Sequence, residues 1–266
     1  MKSPTRHEEA PAPGGFLFGA YQVAARNLIV WRRYAAASAV GNFGEPLLYL
    51  LALGYGLGRI VPDIDGMSYA AFIAPGLVVS TVMYTATFEG TFGTYTRLTS
   101  QKTFDALLAT PLTISEIVAG EVLFGGIKAC AGAASVLAVI ALFGLVPSWL
   151  ALLLIPLGFV AGSMFTAMAL VVTSLSRSYE SFNYYFTLIV APMFLFGGIF
   201  FPLDRTPEWV RDFSGVLPLT HVVALARALV RGTPHPGLFH DLLMMLAVFL
   251  AAYAIALRRL ARRVRF

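Results

Sequence analysis

The sequence predicts an all-α integral membrane protein that crosses the bilayer six times with both termini on the cytoplasmic side. Three observations carry that prediction. Hydrophobic residues make up 58% of the 266 residues and charged ones only 12%, with a mean hydropathy of +0.76. This is not the balance of a soluble domain. Several runs are long enough to cross, because a helix rising about 1.5 Å per residue needs roughly 20 residues to span about 30 Å of hydrocarbon. The basic residues, finally, fall unevenly between alternate loops.

Taken in order, residues 1–15 combine Lys2, Arg6, Glu8 and Glu9 with three prolines and two glycines, a composition predicted to be disordered. Residues 16–34 are predicted to form an interfacial amphipathic helix. Leu17, Ala24, Leu28 and Trp31 fall on one face, and Gln22, Arg26 and Arg33 on another. Trp31 suits headgroup depth; a basic flank that only sets topology is the alternative. The stretch is not a signal peptide, since Gln22, Arg26 and Asn27 interrupt it and no small-residue cleavage site precedes Arg32 and Arg33.

Three predicted spans carry no charge: 66–88, 147–176 and 181–203. Three more carry one ionisable residue each, namely 35–58 with Glu45, 122–146 with Lys128 and 238–257 with Asp241. With both termini inside, Lys2, Arg6, Arg26, Arg32, Arg33, Arg97, Lys102, Arg177, Arg258, Arg259, Arg262, Arg263 and Arg265 are cytoplasmic. Only Arg59, Arg205, Arg211, Arg227 and Arg231 are then outside. The basic tail, 258–266, suits anionic lipid headgroups at about 1 kcal/mol per residue, so the net charge of +5 needs no nucleic-acid partner.

Charges inside spans are costly and each needs a reason. Glu45 is either a hydrogen-bonding group at a dimer or translocation surface or a neutral, internally paired carboxyl. Glu89 and Lys128 stand where they could pair. Asp241 falls at the outer interface and is given no role. Phe182, Tyr184, Tyr185 and Phe186 either stack on sugar rings and line a lipid path, or anchor the span at the interface; Phe182, Tyr185 and Phe186 join Glu45 as candidates for a translocation or dimer surface.

Between the second and third spans lies a polar stretch, RLTSQKTFDALLATPLTISEIVAGE, residues 97–121. Residues 100–109 can form a short helix in which Phe104, Leu107 and Leu108 stand at i, i+3 and i+4, flanked by Arg97, Gln101, Lys102 and Asp105. Pro111 stops it, and Thr113-x-x-Glu116 is a capping box opening the next helix. The apolar patch either docks a partner protein or sinks into the bilayer surface. Periodicity does not choose between them. Between the fifth and sixth spans, 204–237 is punctuated by Pro202, Pro207 and Pro218, and 217–230 can dip back into the outer leaflet or lie on it as an amphipathic cap.

Several chemistries are absent from the sequence. Cys130 is the single cysteine, so there is no intramolecular disulfide or cysteine metal cage. His7, His221, His235 and His240 show no paired spacing and are not read as metal ligands. Gly162-Ser163-Met164 does not make a GxSxG nucleophile turn, and no GxxxxGK[ST] loop is present to cradle ATP. A secondary transporter would show two related halves, and a membrane enzyme a cluster of acids, histidines or a nucleophile; neither pattern is found. A membrane scaffold remains as a different class, one whose polar loop would tolerate charge changes.

The segments GNFGEPLLYLLALGYGLG (41–58), YAAFIAPGLVVSTVMYTATFEGTF (69–92), QKTFDALLATPLTISEIVAGE (101–121) and FNYYFTLIVAPMFLFGGIFFPLDRTPEWVRDFSGVLPLTHVVALAR (182–227) resemble the permease subunit of ABC-2 type exporters. Within that family they are most similar to the lipo-oligosaccharide exporter permeases of the nodulation-factor type. The Phe-x-Ala-Pro-Gly start of span two (72–76), the Gly-Gly-Ile-Phe-Phe-Pro exit from span five (197–202) and the Leu-Pro-Leu-Thr-His turn (217–221) occur in the family order. The resemblance implies a homodimer in the cytoplasmic (inner) membrane, bound to two copies of a separate cytoplasmic ATPase that would hold ATP and Mg. No cofactor is implied for this chain. It further implies that the helix at about 98–110 is a coupling helix seated in a groove of the ATPase, with Phe104, Leu107 and Leu108 as its buried contact and Lys102 and Asp105 orienting it at the rim. The region 204–237 would form short re-entrant helices. The cargo would be a lipid-linked glycan or lipo-oligosaccharide passed outward at a dimer interface of spans one and five, with drug or lipid efflux as the alternative.

Overall fold

A computed structural model describes residues 15–35, 44, 46–64 and 66–264. Among these the chain is helical throughout, and its one β-type contact is the bridge between Ile64 and Met67. In chain order the helices are α1 (Phe16–Arg32), α2 (Tyr69–Thr99), α3 (Thr103–Leu108), α4 (Ile114–Leu142), α5 (Trp149–Leu175), α6 (180–196), α7 (Glu208–Val216), α8 (Pro218–Arg231) and α9 (Leu238–Val264). A π-helical segment, Leu50–Gly56, precedes α2.

Local chemistry sets most of these boundaries. The Ser68 hydroxyl accepts the Ala71 N–H at 3.3 Å and caps α2. The predicted capping box opens α4: Thr113 Oγ1 accepts the Glu116 N–H at 3.3 Å, and Glu116 Oε2 accepts the Thr113 N–H at 2.7 Å. Pro218 starts α8, and Gly232, at φ 71°, ends it.

By length and apolar composition α2, α4, α5 and α9 can each cross a membrane, and α7 with α8, bent by 92°, can make a fifth crossing. They account for the predicted second, third, fourth and sixth runs. Of the predicted first run, residues 36–43 and Glu45 lie outside the described residues. The predicted fifth run is helical only over 180–196, because Gly197 and Gly198, the latter at φ 76°, turn the chain aside.

Helices α4 and α5 pack through small residues. A Cβ on Gly162 would collide with the Cβ of Ala129, and one on Gly158 would lie 2.8 Å from that of Ala133. Such contacts let two backbones approach where lipid offers no hydrophobic drive to pair them. The same device seats α1 against α4. Its buried residues are Gly19, Ala20, Val23, Ala24 and Asn27, while Leu17 is 79% exposed. The reason is Gly120 on α4: a Cβ there would stand 2.5 Å from the Val23 Cβ and 2.7 Å from the Ala20 carbonyl oxygen. Close approach, not side-chain bulk, selects the face.

Two apolar clusters fill the interior. The larger runs along α2, α4, α5, α6 and α8. The smaller gathers Val23, Leu98, Phe104, Ile117, Val118, Leu170, Ala256 and Leu260 from α1, α2, α3, α4, α5 and α9, and it seats the site described next.

Candidate functional site

The lower end of α2 is built around a π-helical turn, Glu89–Gly93. A π-turn is rare and tends to mark a functional position. Here it turns the Glu89 carboxylate inward; a Cβ on Gly93 would fall 2.5 Å from Glu89 Oε1, so glycine leaves that carboxylate its room. Arg97 Nη2 donates to Glu89 Oε1 at 2.6 Å, and Lys128 Nζ, from α4, donates to Oε2 at 2.6 Å. The arginine also donates through Nε to Glu121 Oε1 at 3.0 Å, and its Nη2 contacts Glu121 Oε2 closely. Glu121 further accepts from Asn27 Nδ2 at 2.9 Å and from Thr94 Oγ1 at 2.8 Å.

Two carboxylates and two cations, all with side chains no more than 16% exposed, therefore cancel in charge. An isolated ion at such a position would be costly, whereas a network in which each ion has a partner is rigid. The Phe124 ring lies near both cations, 5.7 Å from the Arg97 guanidinium carbon and 5.9 Å from Lys128 Nζ. Above the network opens a cavity of about 340 Å³ whose lining includes Arg26, Tyr34, Thr96, Arg97 and Gln101. Beside it, outside the long helices, the Tyr179 hydroxyl lies 2.9 Å from Thr96 Oγ1 and 3.3 Å from Ser100 Oγ. The Ser100 and Thr96 hydroxyls hold the phenol below the usual tyrosine range.

Helix α3 is tied to this network. Arg26 Nη2 donates to Thr103 Oγ1 at 3.5 Å, and Arg26 Nη1 donates to Asn27 Oδ1 at 2.9 Å. The corner from α2 into α3 turns on Lys102 at φ 53°, the one non-glycine residue with positive φ among those described. Such a conformation costs free energy in an L-residue and persists only where its surroundings impose it.

The Glu89–Lys128 pair stands where the sequence allowed it. The other half of the network, Arg97, Glu121 and Asn27, was missed because all three lie in stretches that read as polar surface. The available signal was the clustering of Glu89, Arg97 and Glu121 at the ends of two runs that a tight turn must bring together. Phe104 requires a correction. It is 0% exposed, packed into the smaller cluster of this same chain, so it cannot be the contact buried against another protein. The cluster it joins draws on α1, α2, α4, α5 and α9, several of them remote in sequence. Leu107 and Leu108 are half-buried beside it, and the open face carries Gln101, Lys102, Asp105, Ala106 and Ala109.

Two more candidates turn inward. Phe182 is fully buried, edge-on to Tyr95 and Phe92 at centroid distances of 5.3 and 5.0 Å, and Tyr185 is also buried. Neither stands on a surface of the single chain; Tyr184 and Leu188 occupy the exposed side of α6. Phe186 is half-buried against Phe88 at 4.6 Å. Glu45 lies outside the described residues. At the far end of α9, Asp241 has partners that its place in the sequence did not reveal: histidines gather around its carboxylate.

A family model described as ABC-2 type transporter matches residues 20–230. The chain belongs to the ABC-2 type transporter family. It is 37% identical over 240 residues to nodulation protein J of Rhizobium meliloti, covering 88% of this chain and 91% of that protein. It is 36% identical over 244 residues to nodulation protein J of Rhizobium leguminosarum bv. viciae, covering 89% and 93%. The inner membrane transport permease YadH of Escherichia coli is 25% identical over 182 residues, covering 66% and 69%. No solved structure matches. The ABC-2 match takes in α1 from residue 20, α2, the α3 corner and the ion network, and the several apolar helices are those of a membrane permease.

Proposed function

We propose that this chain is the transmembrane permease subunit of an ATP-driven exporter in the cytoplasmic membrane. In this reading it has six spans, pairs with a second copy of itself and binds two copies of a separate cytoplasmic ATPase. The observation that carries the reading is the seating of α3: one side is fixed by Phe104 in a cluster shared with α1, α4 and α9, and the other side is open and polar. Force applied to such a helix passes directly into the bundle. The docking surface is then Lys102, Asp105 and Ala106, with Leu107 and Leu108 at its margin, and Phe104 is a positioning residue.

The predicted first run, 35–58, and helix 180–196 would be the first and fifth spans, and the bent α7–α8 pair the re-entrant segment. The long hydrophobics exposed on α6, Tyr184, Leu188 and Ile189, suit the dimer contact. A lipid-linked glycan or lipo-oligosaccharide as cargo is supported by the resemblance of the sequence and by relatives named nodulation protein J.

A second reading, drug or lipid efflux, is favoured by an apolar groove of about 530 Å³ between α1, α4, α5 and α9, lined in part by Leu17, Val122, Leu246, Phe249 and Tyr253. It would take any acyl chain or flat apolar compound. Transport of glycolipids against dyes into inverted vesicles separates the two.

The coupling reading is tested by exchanging the charges on the open face. Lys102→Glu with Asp105→Lys is expected to abolish co-purification of the ATPase and stimulated ATP hydrolysis, with the amount of permease in the membrane unchanged. Phe104→Asp is expected to lower that amount as well, because it buries an unpaired charge. Full ATPase binding by the charge-exchanged chain would remove the docking role from α3.

A further inference from the structure

At the end of α9 remote from α3, three of the four histidines of the chain converge on one carboxylate. His221 Nδ1 lies 2.7 Å from Asp241 Oδ1, His240 Nδ1 lies 3.4 Å from the same oxygen, and His235 Nε2 lies 2.6 Å from Asp241 Oδ2. The residues come from different elements: His221 from the first turn of α8, His235 from the connection after α8, and His240 with Asp241 from the first turn of α9. Spacing along the chain hid the group, since the chain has to reverse after α8, from Gly232 onward, to set the start of α9 beside His221.

The other nitrogen of His221 decides what the group can do. Nε2 lies 3.0 Å from the Gly215 carbonyl oxygen at the end of α7, and a carbonyl can only accept, so Nε2 carries a proton. In the neutral ring Nδ1 then presents a lone pair, and it faces a carboxylate oxygen that also only accepts. Two acceptors at hydrogen-bond distance need a cation between them, either a proton on the ring or a metal ion. The three ligating atoms of His221, His240 and Asp241 lie within 4.8 Å of one another, close enough for small side-chain rotations to bring each to about 2.0–2.2 Å from a shared ion. An imidazole N–H on a backbone carbonyl is also the usual support that fixes a metal-binding histidine in orientation.

We propose that His221, His240 and Asp241 bind one divalent transition-metal ion of the Zn(II) class, with water completing the shell and His235 orienting the carboxylate through Oδ2. Imidazole nitrogens with a single carboxylate select such an ion over Mg(II) or Ca(II), which prefer all-oxygen shells. His221 and Asp241 are buried and preset, while the His240 side chain is 67% exposed and gives the ion access. Bound there, the ion would fasten α8 to α9 and, through Gly215, brace the end of α7. It would lock the 92° bend without touching the face that carries α3.

The test uses the full chain in detergent, free of any polyhistidine tag and stripped with chelator, titrated with Co(II) as a visible probe. The expected result is one ion per chain with the intense visible bands of a four-coordinate site, displaced by Zn(II) and unaffected by Mg(II). His240→Ala, at an exposed position that does not threaten folding, is expected to weaken Zn(II) binding by more than about ten-fold, the size of effect seen even for loss of outer partners of metal sites. His7→Ala is expected to change nothing. Zn(II) should also raise the melting temperature of the parent chain and leave that of His240→Ala unmoved. Absence of saturable Co(II) binding, or binding indifferent to His240→Ala, would overturn the proposal and leave the cluster as a proton-bearing ion pair.

Discussion

Glu121 shows what a single buried side chain commits a membrane protein to. It accepts from Asn27, Thr94 and Arg97, so its removal strands the Asn27 amide and the Arg97 Nε and leaves Arg97 with Glu89 as its one compensating charge. Glu121→Ala is expected to cost about 3–5 kcal/mol, the penalty for leaving one partner of a buried pair, read as a lowered unfolding midpoint in detergent. Removing Glu89 and Lys128 together, as Glu89→Gln with Lys128→Met, should cost clearly less than the sum of the two single changes, because neither ion is left alone. Strict additivity of the two would mean that they do not interact. At this scale the sequence was half legible. Two charges in otherwise apolar runs announce a pair by their expense, whereas Glu121 and Arg97 sit among polar neighbours that disguise burial as exposure.

At the scale of the element, contact geometry outweighs composition. Gly162 faces the Ala129 methyl across the α4–α5 contact, while Gly215 on α7 has open space around it. Gly162→Leu should therefore destabilise the protein by about 1–3 kcal/mol, as overpacking does, and Gly215→Leu by far less, in the same thermal assay. Equal effects would show that helix propensity, not close approach, governs both. The long helices were readable from hydropathy and their starts from capping chemistry, because both signals are local. The buried face of α1 was not, since it is chosen by Gly120 one hundred residues away in effect and not by the helix itself. Phe104 failed for a related reason: its spacing announced an apolar face but could not say which chain would cover it.

For the whole molecule, orientation is the largest inference drawn from charge alone. Cys130 is the single cysteine, so Cys130→Ser gives a background on which new cysteines report their side. Trp209→Cys on the exposed part of α7 should react with an impermeant maleimide in intact cells. Ala106→Cys on α3 should react only after permeabilisation. The reverse pattern would invert the molecule and detach α3 from any cytoplasmic partner. Family membership was legible because whole segments resemble ABC-2 permeases in order. The gathering of histidines at Asp241 was not, because a bend in space leaves no periodic trace.

The brevity of α6 bears on the surrounding lipid. Helix 180–196 ends where Gly197 and Gly198 divert the chain, so it rises only about 25 Å against about 30 Å of hydrocarbon. Seated as the proposed fifth crossing, it obliges the adjoining bilayer to thin or the helix to draw its flanking residues inward. Thinning along that flank would shorten the apolar stretch a headgroup must traverse. The length of one helix would thus fix where on the protein's perimeter a lipid turns over most readily.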